Sequence, residues 1–483
     1  MATKRHAVTI RSLIALRPAC SSPCSGNAIR RSFGCERRGD SKGKKLGGGK
    51  ARAVTVRETD STSTPRLLSL TTNFSFIDQA LVSGGNFTAG ILMARAFGLY
   101  EFGRFTLVWL AVEFLMSLQF ALVLQPMLNL GPKQTGSELV RYFPAVAAQQ
   151  VLTCLGMGSL AWLTAVLAGV LFDDPGISAL GAPVFASIVT YQFHSFFRRY
   201  LFLRKRPVRG LMLDAVRFGV QVPATLALLF LEDPPDASSG LWIIAAACGT
   251  SASLGVCFFG KFTWDRGAFR AMIVRHWEFS KWLLPSVVMF WMTSQAYVLM
   301  AGIVLGAATT GGLRAAMGIA GVLNIFVQAL DSFAPAQASQ AFHQGGPAQL
   351  RRYVARLGAL MGVLTIAIVV VLNVAPDLVV RLLYGEKYEG IGYLVSWLCA
   401  PAAIQGAAFI LTICAAAMER TYLIFWSYVA ATVFTLVAAY PLAYYAGLPG
   451  ILVTWIVVEC VRVAVLFAGL QRGASAVMPA AIK

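Results

Sequence analysis

Charged side chains are scarce in this sequence. Asp, Glu, Lys and Arg make up 13% of the 483 residues, against about 25% in an ordinary soluble domain, while 57% of the residues are hydrophobic. No soluble fold could bury that much apolar surface, so the composition excludes an ordinary soluble domain. Long apolar windows recur instead, each reaching the roughly 20 residues that a helix needs to cross a bilayer. Because backbone amides in lipid must be hydrogen-bonded within their own segment, these windows predict transmembrane α-helices.

Residue types that build metal, disulfide and nucleotide sites are scarce or wrongly spaced. The chain has four histidines, and its nine cysteines lie either in the first 35 residues or inside predicted helices, so neither zinc nor disulfides are expected. The glycine-rich segment 43–50 lacks the spacing of a phosphate-binding loop, and Ala51 stands where Ser or Thr is required. We therefore expect no catalytic residue, no metal site, no organic cofactor and no nucleic-acid partner.

Hydropathy predicts about twelve membrane-spanning helices. The spans are 76–96, 103–128, 146–172, 176–197, 211–231, 240–260, 282–305, 313–334, 354–375, 391–414, 421–446 and 448–470. The eighth has the weakest signal, because Pro335 interrupts a weakly apolar run that continues to Phe342. The predicted fold class is an all-α polytopic membrane protein.

Loop charges orient these helices independently of hydropathy. Segment 198–210 carries six basic residues and no acid, whereas the loops on either side, 173–174 and 232–236, carry acids and no base. Basic and acidic loops alternate in this way, and basic loops favour the cytoplasm. An even number of spans then places both termini in the cytoplasm.

The chain divides into two lobes of six helices. Gly98 and Gly103 after the first helix have the same spacing as Gly306 and Gly311 after the seventh, at an offset of 208. This offset favours a duplicated six-helix unit, an arrangement common among transporters. The predicted segments are a tail at 1–66, an N-terminal lobe at 67–260, an interfacial cytoplasmic linker at 261–281, a C-terminal lobe at 282–473 and a short tail at 474–483.

The N-terminal tail carries much of the charge of the chain. Residues 1–66 hold 15 basic and 4 acidic residues, which accounts for +11 of the formal net charge of +19. Their Gly, Ser and charge content predicts disorder. The tail could lie on anionic lipid, act as a targeting segment, be a solvated extension, or result from a start codon assigned too far upstream.

Ionisable side chains inside the predicted spans are the functional candidates, since charge in lipid is costly. These are Asp78, Arg95, Glu113, Asp214, Arg217, Arg314, Asp331, Glu459 and Arg462. Glu113 and Glu459 lie about 15 Å into their spans, near the midplane. Asp214 with Arg217, and Glu459 with Arg462, are acid–base pairs on one helix face that could serve only to neutralise themselves. Glu113 has no such neighbour and is the best candidate for a proton or sodium site.

The resemblance of this chain to a known family rests on four short stretches. They are DQALVSGGNF at 78–87, ARAFG at 94–98, EFG at 101–103 and LYGEKY at 383–388. The first three resemble the opening of polysaccharide flippases in the multidrug/oligosaccharidyl-lipid/polysaccharide (MOP) exporter superfamily, and the fourth looks like a later part of the same family. With the two-lobe layout, the resemblance covers roughly residues 67–473.

This resemblance implies a lipid-linked oligosaccharide flippase that works by alternating access. Arginines in its central cavity would bind the lipid diphosphate, and our candidates are Arg95, Arg217, Arg314 and Arg462. Acids would bind a coupling Na⁺ or H⁺, and our candidates are Glu113, Asp78, Asp331 and Glu459. Only Asp78 and Arg95 match charged positions of the family motif; depth alone selects the others.

The resemblance also implies a setting. It is a bacterial inner membrane, with membrane lipids as neighbours, a polysaccharide polymerase and glycosyltransferases as partners, and a role in lipopolysaccharide or exopolysaccharide synthesis.

Three other functions stay open at the level of sequence. A cation-coupled multidrug exporter of the same superfamily would favour an acidic cavity over a mixed one. A membrane-embedded sugar polymerase or ligase would need catalytic groups on the outer face, where every predicted loop is short and lacks histidine. A scaffold without transport would tolerate loss of the buried charges.

Overall fold

The computed structural model describes the backbone of residues 64–260, 262–331 and 334–477. Side chains are described for residues 77–472 within these ranges, except 325, 326, 328, 329 and 331. The predictions for the basic tail at 1–66 and for the end of the chain at 474–483 therefore fall almost entirely outside the described residues.

The described chain is helical and contains no β-strand. Its α-helices are α1 (Thr64–Gln119), α2 (Gln125–Leu130), α3 (Gly136–Leu171), α4 (Pro175–Ala179), α5 (Gly181–Leu203), α6 (Pro207–Ala227), α7 (Ala237–Phe259), α8 (Arg266–Met300), α9 (Ala307–Ala320), α10 (Val322–Asp331), α11 (Ala334–Val374), α12 (Pro376–Tyr384), α13 (Gly392–Ala417) and α14 (Thr421–Val477). Short π-helical segments, Phe120–Leu124 and Ala301–Leu305, connect α1 to α2 and extend α8.

Nine helical stretches of the described ranges are long and apolar enough to cross a membrane. The two longest, Ile77–Lys133 and Thr421–Arg472, each contain two of the predicted spans. The predicted span 313–334 corresponds to α9 and α10, each too short to cross alone. The sequence prediction of a polytopic all-α membrane protein with about twelve spans is confirmed.

Left-handed glycines make the turns within the two corresponding hairpins. Gly98 interrupts α1 with a φ of 74°, and Gly306 precedes α9 with a φ of 89°. An L-amino acid with a side chain is disfavoured at such angles, because its Cβ crowds the backbone. The chain can therefore reverse between consecutive apolar segments without a long loop.

A reciprocal backbone contact joins the two hairpins. A Cβ atom on Gly103 would lie 1.8 Å from the carbonyl oxygen of Ala307, and one on Gly311 would lie 2.1 Å from the carbonyl oxygen of Leu99. Only glycine fits at either place. The glycines differ in number by 208, as do Leu99 and Ala307, so the two halves of the chain make the same contact on each other. This pairing supports the internal repeat that the sequence predicted.

Two tyrosines of the LYGEKY stretch fasten this junction. The Tyr388 hydroxyl donates to the carbonyl oxygen of Ala94 at 3.0 Å, and the Tyr384 hydroxyl donates to that of Ala315 at 3.0 Å. Burial raises the pKa of Tyr384 to about 12, so its hydroxyl keeps the proton that it donates. Burying a side chain of this size contributes about 2 kcal/mol. The family-like stretch at 383–388 therefore has a packing role.

The predicted linker at 261–281 is mostly not separate from the helix that follows. Helix α8 runs unbroken from Arg266, capped by Asp265, whose carboxylate accepts from the backbone N–H of Ala268 at 3.1 Å and of Gly267 at 2.9 Å. The hydrogen bond from Ala268 holds the pKa of Asp265 below its usual value. His276, inside the predicted linker, is buried against Tyr142 of α3. An apolar and basic stretch predicted to lie at an interface is thus partly packed into the protein.

Candidate functional site

Two large cavities flank the middle of α8. We call them the N cavity and the C cavity. The N cavity has a volume of about 750 Å³ and is lined by α1 with the π-helical segment after it, α5 to α7, α8 and α9. The C cavity has a volume of about 690 Å³ and is lined by α8 to α11, α13 and α14. Phe290, Ser294 and Gln295 of α8 line both of them. The cavities are therefore neighbours that share one wall.

The N cavity has an excess of positive charge. Arg199, Arg217 and Arg314 line it together with a single carboxylate, Glu113. Three positive charges against one negative charge leave a surplus of two. In a cleft with low-dielectric walls such a surplus attracts anions and repels cations.

Arg217 is the most deeply placed of these arginines, with 4% of its surface exposed. Its guanidinium donates to Asn86 at 3.2 Å and to Gln221 at 3.3 Å, and lies over the ring of Tyr191 at 4.7 Å. Within the described part of the chain, no carboxylate forms an ion pair with it. Neutral amides and an aromatic face hold the guanidinium in place without a direct ion pair, so it can still bind an anion.

Arg314 and Glu113 form an ion pair between the two halves of the chain. The Arg314 guanidinium lies 3.1 Å from Glu113, which also accepts from the indole N–H of Trp109 at 2.9 Å. The view of Glu113 as an unpaired acid was wrong, because its partner lies 201 residues away. The pair is partly exposed to the N cavity, so Arg314 can still meet a ligand there.

Arg199 is a cavity residue that the sequence analysis missed. It was counted among the basic residues of the cytoplasmic loop 198–210, but α5 continues to Leu203. The guanidinium lies over the ring of Phe120 at 4.8 Å and borders the N cavity. The sequence analysis ended the span at residue 197, six residues before the end of α5, and therefore assigned Arg199 to a loop.

A buried ionic cluster involves α1, α5 and α6. Arg198 lies 2.5 Å from Asp214 and also pairs with Asp78, while His194 lies 3.3 Å from Asp214. The predicted pairing of Asp214 with Arg217 is therefore wrong, since Asp214 turns to partners on α5. His194 had no sequence signal beyond its rarity. Two acids around one arginine and one neutral or protonated histidine form a site whose charge can change by a proton.

The C cavity contains one charged pair. Arg462 lies 2.8 Å from Glu459, as the three-residue spacing predicted, and its guanidinium lies over the ring of Tyr428 at 4.4 Å. Both side chains are buried, with exposures of 4% for Glu459 and 8% for Arg462. The pair is neutral overall, so the C cavity, unlike the N cavity, has no surplus charge.

Of the remaining two candidates, Arg95 lines neither cavity. Arg95 donates to the carbonyl oxygens of Leu383, at 2.6 Å, and Leu382. These are unpaired carbonyls at the end of α12, and a cation there is a helix C-cap. The backbone of Asp331 ends α10, but its side chain lies outside the described residues. The structure thus brings Arg217, Arg314 and Glu113 together at one cavity and Glu459 with Arg462 at the other.

Comparison with known proteins shows one family model that this chain matches. A family model described as "Polysaccharide biosynthesis protein" matches residues 244–392. None of the curated proteins compared with the chain matches it significantly. The family match covers α8 to α12, including Arg314.

Solved structures of similar fold cover most of the chain. An inward-facing multidrug resistance MATE family transporter of the MOP superfamily has a TM-score of 0.60 and 14% identity, over 83% of this chain and 95% of the other. The lipid II flippase MurJ, in an inward closed conformation, has a TM-score of 0.58 and 13% identity, over 83% and 87%.

A third similar structure is a MOP superfamily transporter from Pyrococcus furiosus, with a TM-score of 0.52 and 13% identity over 85% of this chain and 94% of the other. Its binding pocket is described as having reverse polarity that suggests a different function. The resemblance noted in the sequence is confirmed: the chain is a multi-pass membrane protein with the fold of MOP exporters.

Proposed function

We propose that the chain is a flippase that moves a lipid-linked oligosaccharide, or a polysaccharide precursor, across a bacterial inner membrane by alternating access. The single observation that carries this proposal is the cationic N cavity, in which Arg217 is buried and has no carboxylate partner among the described residues. A lipid diphosphate carries several negative charges and accepts hydrogen bonds in the forked geometry that guanidinium groups offer. The family model for polysaccharide biosynthesis proteins supports the same substrate class.

In this mechanism the arginines recognise the diphosphate rather than the sugar. Arg217 and Arg199 lie on α6 and α5, while Arg314 lies on α9, so a bound diphosphate would contact both halves of the chain. A ligand that bridges two halves changes the relative free energy of their arrangements, which is what alternating access requires. Arg462 was our fourth anion candidate, but its pairing with Glu459 makes it a weaker one, and Arg95 is engaged with α12.

Cation coupling is a further part of the proposal. The buried ionic cluster includes Asp214, which lies on α6 three residues before Arg217. A proton taken up by this cluster would therefore change the charge beside the anion site. Asp78 thus stays a coupling candidate, and the structure adds Asp214 and His194 to it. Glu113 and Glu459 each pair with a single arginine, without the second acid and the histidine that adjoin Asp214. A proton or sodium ion is the proposed cofactor, with polymerase and glycosyltransferase enzymes as proposed partners.

Deletion of the gene tests the substrate class. We expect lipid-linked oligosaccharide to accumulate on the cytoplasmic leaflet, measured with a membrane-impermeant lectin or oxidant on right-side-out and inverted vesicles. The wild-type gene and an Arg352→Gln control, a change at an exposed position on α11, should restore its outward movement. Unchanged glycan with loss of dye efflux would favour a drug exporter and contradict the flippase.

A further inference from the structure

The C cavity has the chemistry of a carbohydrate site, and it adjoins the proposed anion site. Its single charged pair, Arg462 with Glu459, is neutral overall, so it offers no surplus charge to a phosphate. Gln405, Asn324 and Thr412 add uncharged amide and hydroxyl groups. Sugar hydroxyls both donate and accept hydrogen bonds, so they suit a wall that presents a guanidinium, a carboxylate and amides side by side.

Aromatic faces complete this wall. Trp455 and Tyr428 line the C cavity, and the rings are held by packing: Trp455 stacks on Tyr297 with centroids 5.0 Å apart, and Tyr428 supports the guanidinium of Arg462. Fixed aromatic rings beside oriented polar groups present flat apolar surfaces next to hydrogen-bonding groups. The C–H faces and hydroxyl edges of a pyranose ring match that alternation, whereas a polyprenyl chain would leave the polar groups without partners.

Two residues that line this cavity each have a buried polar atom without a partner. The Nε atom of Arg462 and the Oε1 atom of Gln295 are buried and have no hydrogen-bond partner among the described residues. Arg462 is more than nine-tenths buried, so its free N–H is a donor already removed from bulk water. Burying such a group without a partner is unfavourable, and a ligand hydroxyl would relieve it. The two atoms belong to different helices, α14 and α8, which pack against each other and both line the cavity.

Because the two cavities share a wall, a single substrate molecule can extend from one into the other. Phe290, Ser294 and Gln295 line both of them, so a diphosphate held by Arg217 would place the sugar attached to it beside the C cavity. Resting on the proposed function, we infer that the C cavity is the glycan subsite of the substrate, with Arg462, Glu459 and Gln405 binding sugar hydroxyls while the N cavity binds the diphosphate. Arg462 and Glu459 then set the sugar preference rather than anion binding or ion coupling.

Binding of two lipids to the purified full chain in nanodiscs tests this division. One probe is polyprenyl diphosphate; the other is the polyprenyl diphosphate-linked oligosaccharide fraction extracted from cells that lack the gene. The wild type should bind the glycosylated lipid about tenfold tighter, the gain expected from one or two well-placed hydrogen bonds. Gln405→Ala, and the double variant Glu459→Gln with Arg462→Gln, should abolish this preference while changing the affinity for polyprenyl diphosphate less than about twofold.

The double variant removes both charges together, so no unpaired charge is left buried, and Gln405→Ala provides an independent probe if the double variant does not fold. Arg217→Gln should weaken both lipids by the same factor. Equal affinity of the wild type for the two lipids, or an equal loss for both in Gln405→Ala, would overturn the glycan subsite. Failure of the wild type to bind either lipid would instead overturn the proposed function.

Discussion

The N cavity and the C cavity are similar in volume but differ in net charge: the first is positive and the second is neutral. In the C cavity, the carboxylate of Glu459 neutralises Arg462 within one helix turn. In the N cavity, Arg217 is equally buried but is held by amides and aromatic rings. A buried ion pair offers no surplus charge to an anion, whereas a buried charge without a paired partner has a free-energy cost that an anionic ligand can relieve. The comparison therefore favours the N cavity as the proposed anion site.

The largest effect should come from breaking the pair in the C cavity. Arg462→Gln leaves the Glu459 carboxylate buried without its partner, which should lower the free energy of unfolding by about 4 kcal/mol. Thermal unfolding in detergent measures this as a fall in Tm. The double variant with Glu459→Gln should recover most of the loss. A double variant as unstable as the single one would show that the pair is not what stabilises this wall.

Arg217→Gln should leave the stability unchanged and weaken ligand binding. The change removes a buried charge that has no carboxylate partner in the described chain, so the Tm should not fall. Loss of one charge-assisted contact to a diphosphate should weaken binding of polyprenyl diphosphate by about thirtyfold to a hundredfold, measured in nanodiscs. Arg352→Gln is the matched control and should bind normally. A fall in Tm with unchanged binding would mean that Arg217 is structural.

Glu113→Gln should strengthen binding of polyprenyl diphosphate, by a smaller factor than that by which Arg217→Gln weakens it. Without the carboxylate, Arg314 is free and the positive surplus of the N cavity rises from two to three. Binding of polyprenyl diphosphate should tighten by about threefold to tenfold, the scale of one partly screened charge, with stronger dependence on salt. Titration at low and high ionic strength checks this. Weaker binding in the variant would assign Glu113 a direct role in holding the ligand or a coupling ion.

Local patterns predicted the fold well, because each span is an apolar run that a reader of the sequence can see. The Glu459–Arg462 pair was predictable for the same reason: its partners are three residues apart on one face. Partners chosen by tertiary packing were not predictable. Asp214 had Arg217 at the right spacing, yet packing of α5 against α6 gave it Arg198 and His194.

Distance along the chain concealed the rest of the site. Glu113 meets Arg314 only because α1 and α9 approach each other at the glycine contact, which needs the fold and not the local sequence. Arg199 was hidden by an error of a few residues in a helix end, since a basic residue near a predicted boundary reads as a loop charge. The repeated glycines at an offset of 208 were a long-range signal that the sequence did contain.

Electron cryomicroscopy of the full chain in nanodiscs with a polyprenyl diphosphate-linked oligosaccharide tests the central claim most directly. The account predicts diphosphate density in the N cavity, within hydrogen-bond distance of Arg217 and near Arg199 and Arg314, with the sugar extending past Gln295. Diphosphate density beside Glu459 and Arg462, or outside both cavities, would contradict it.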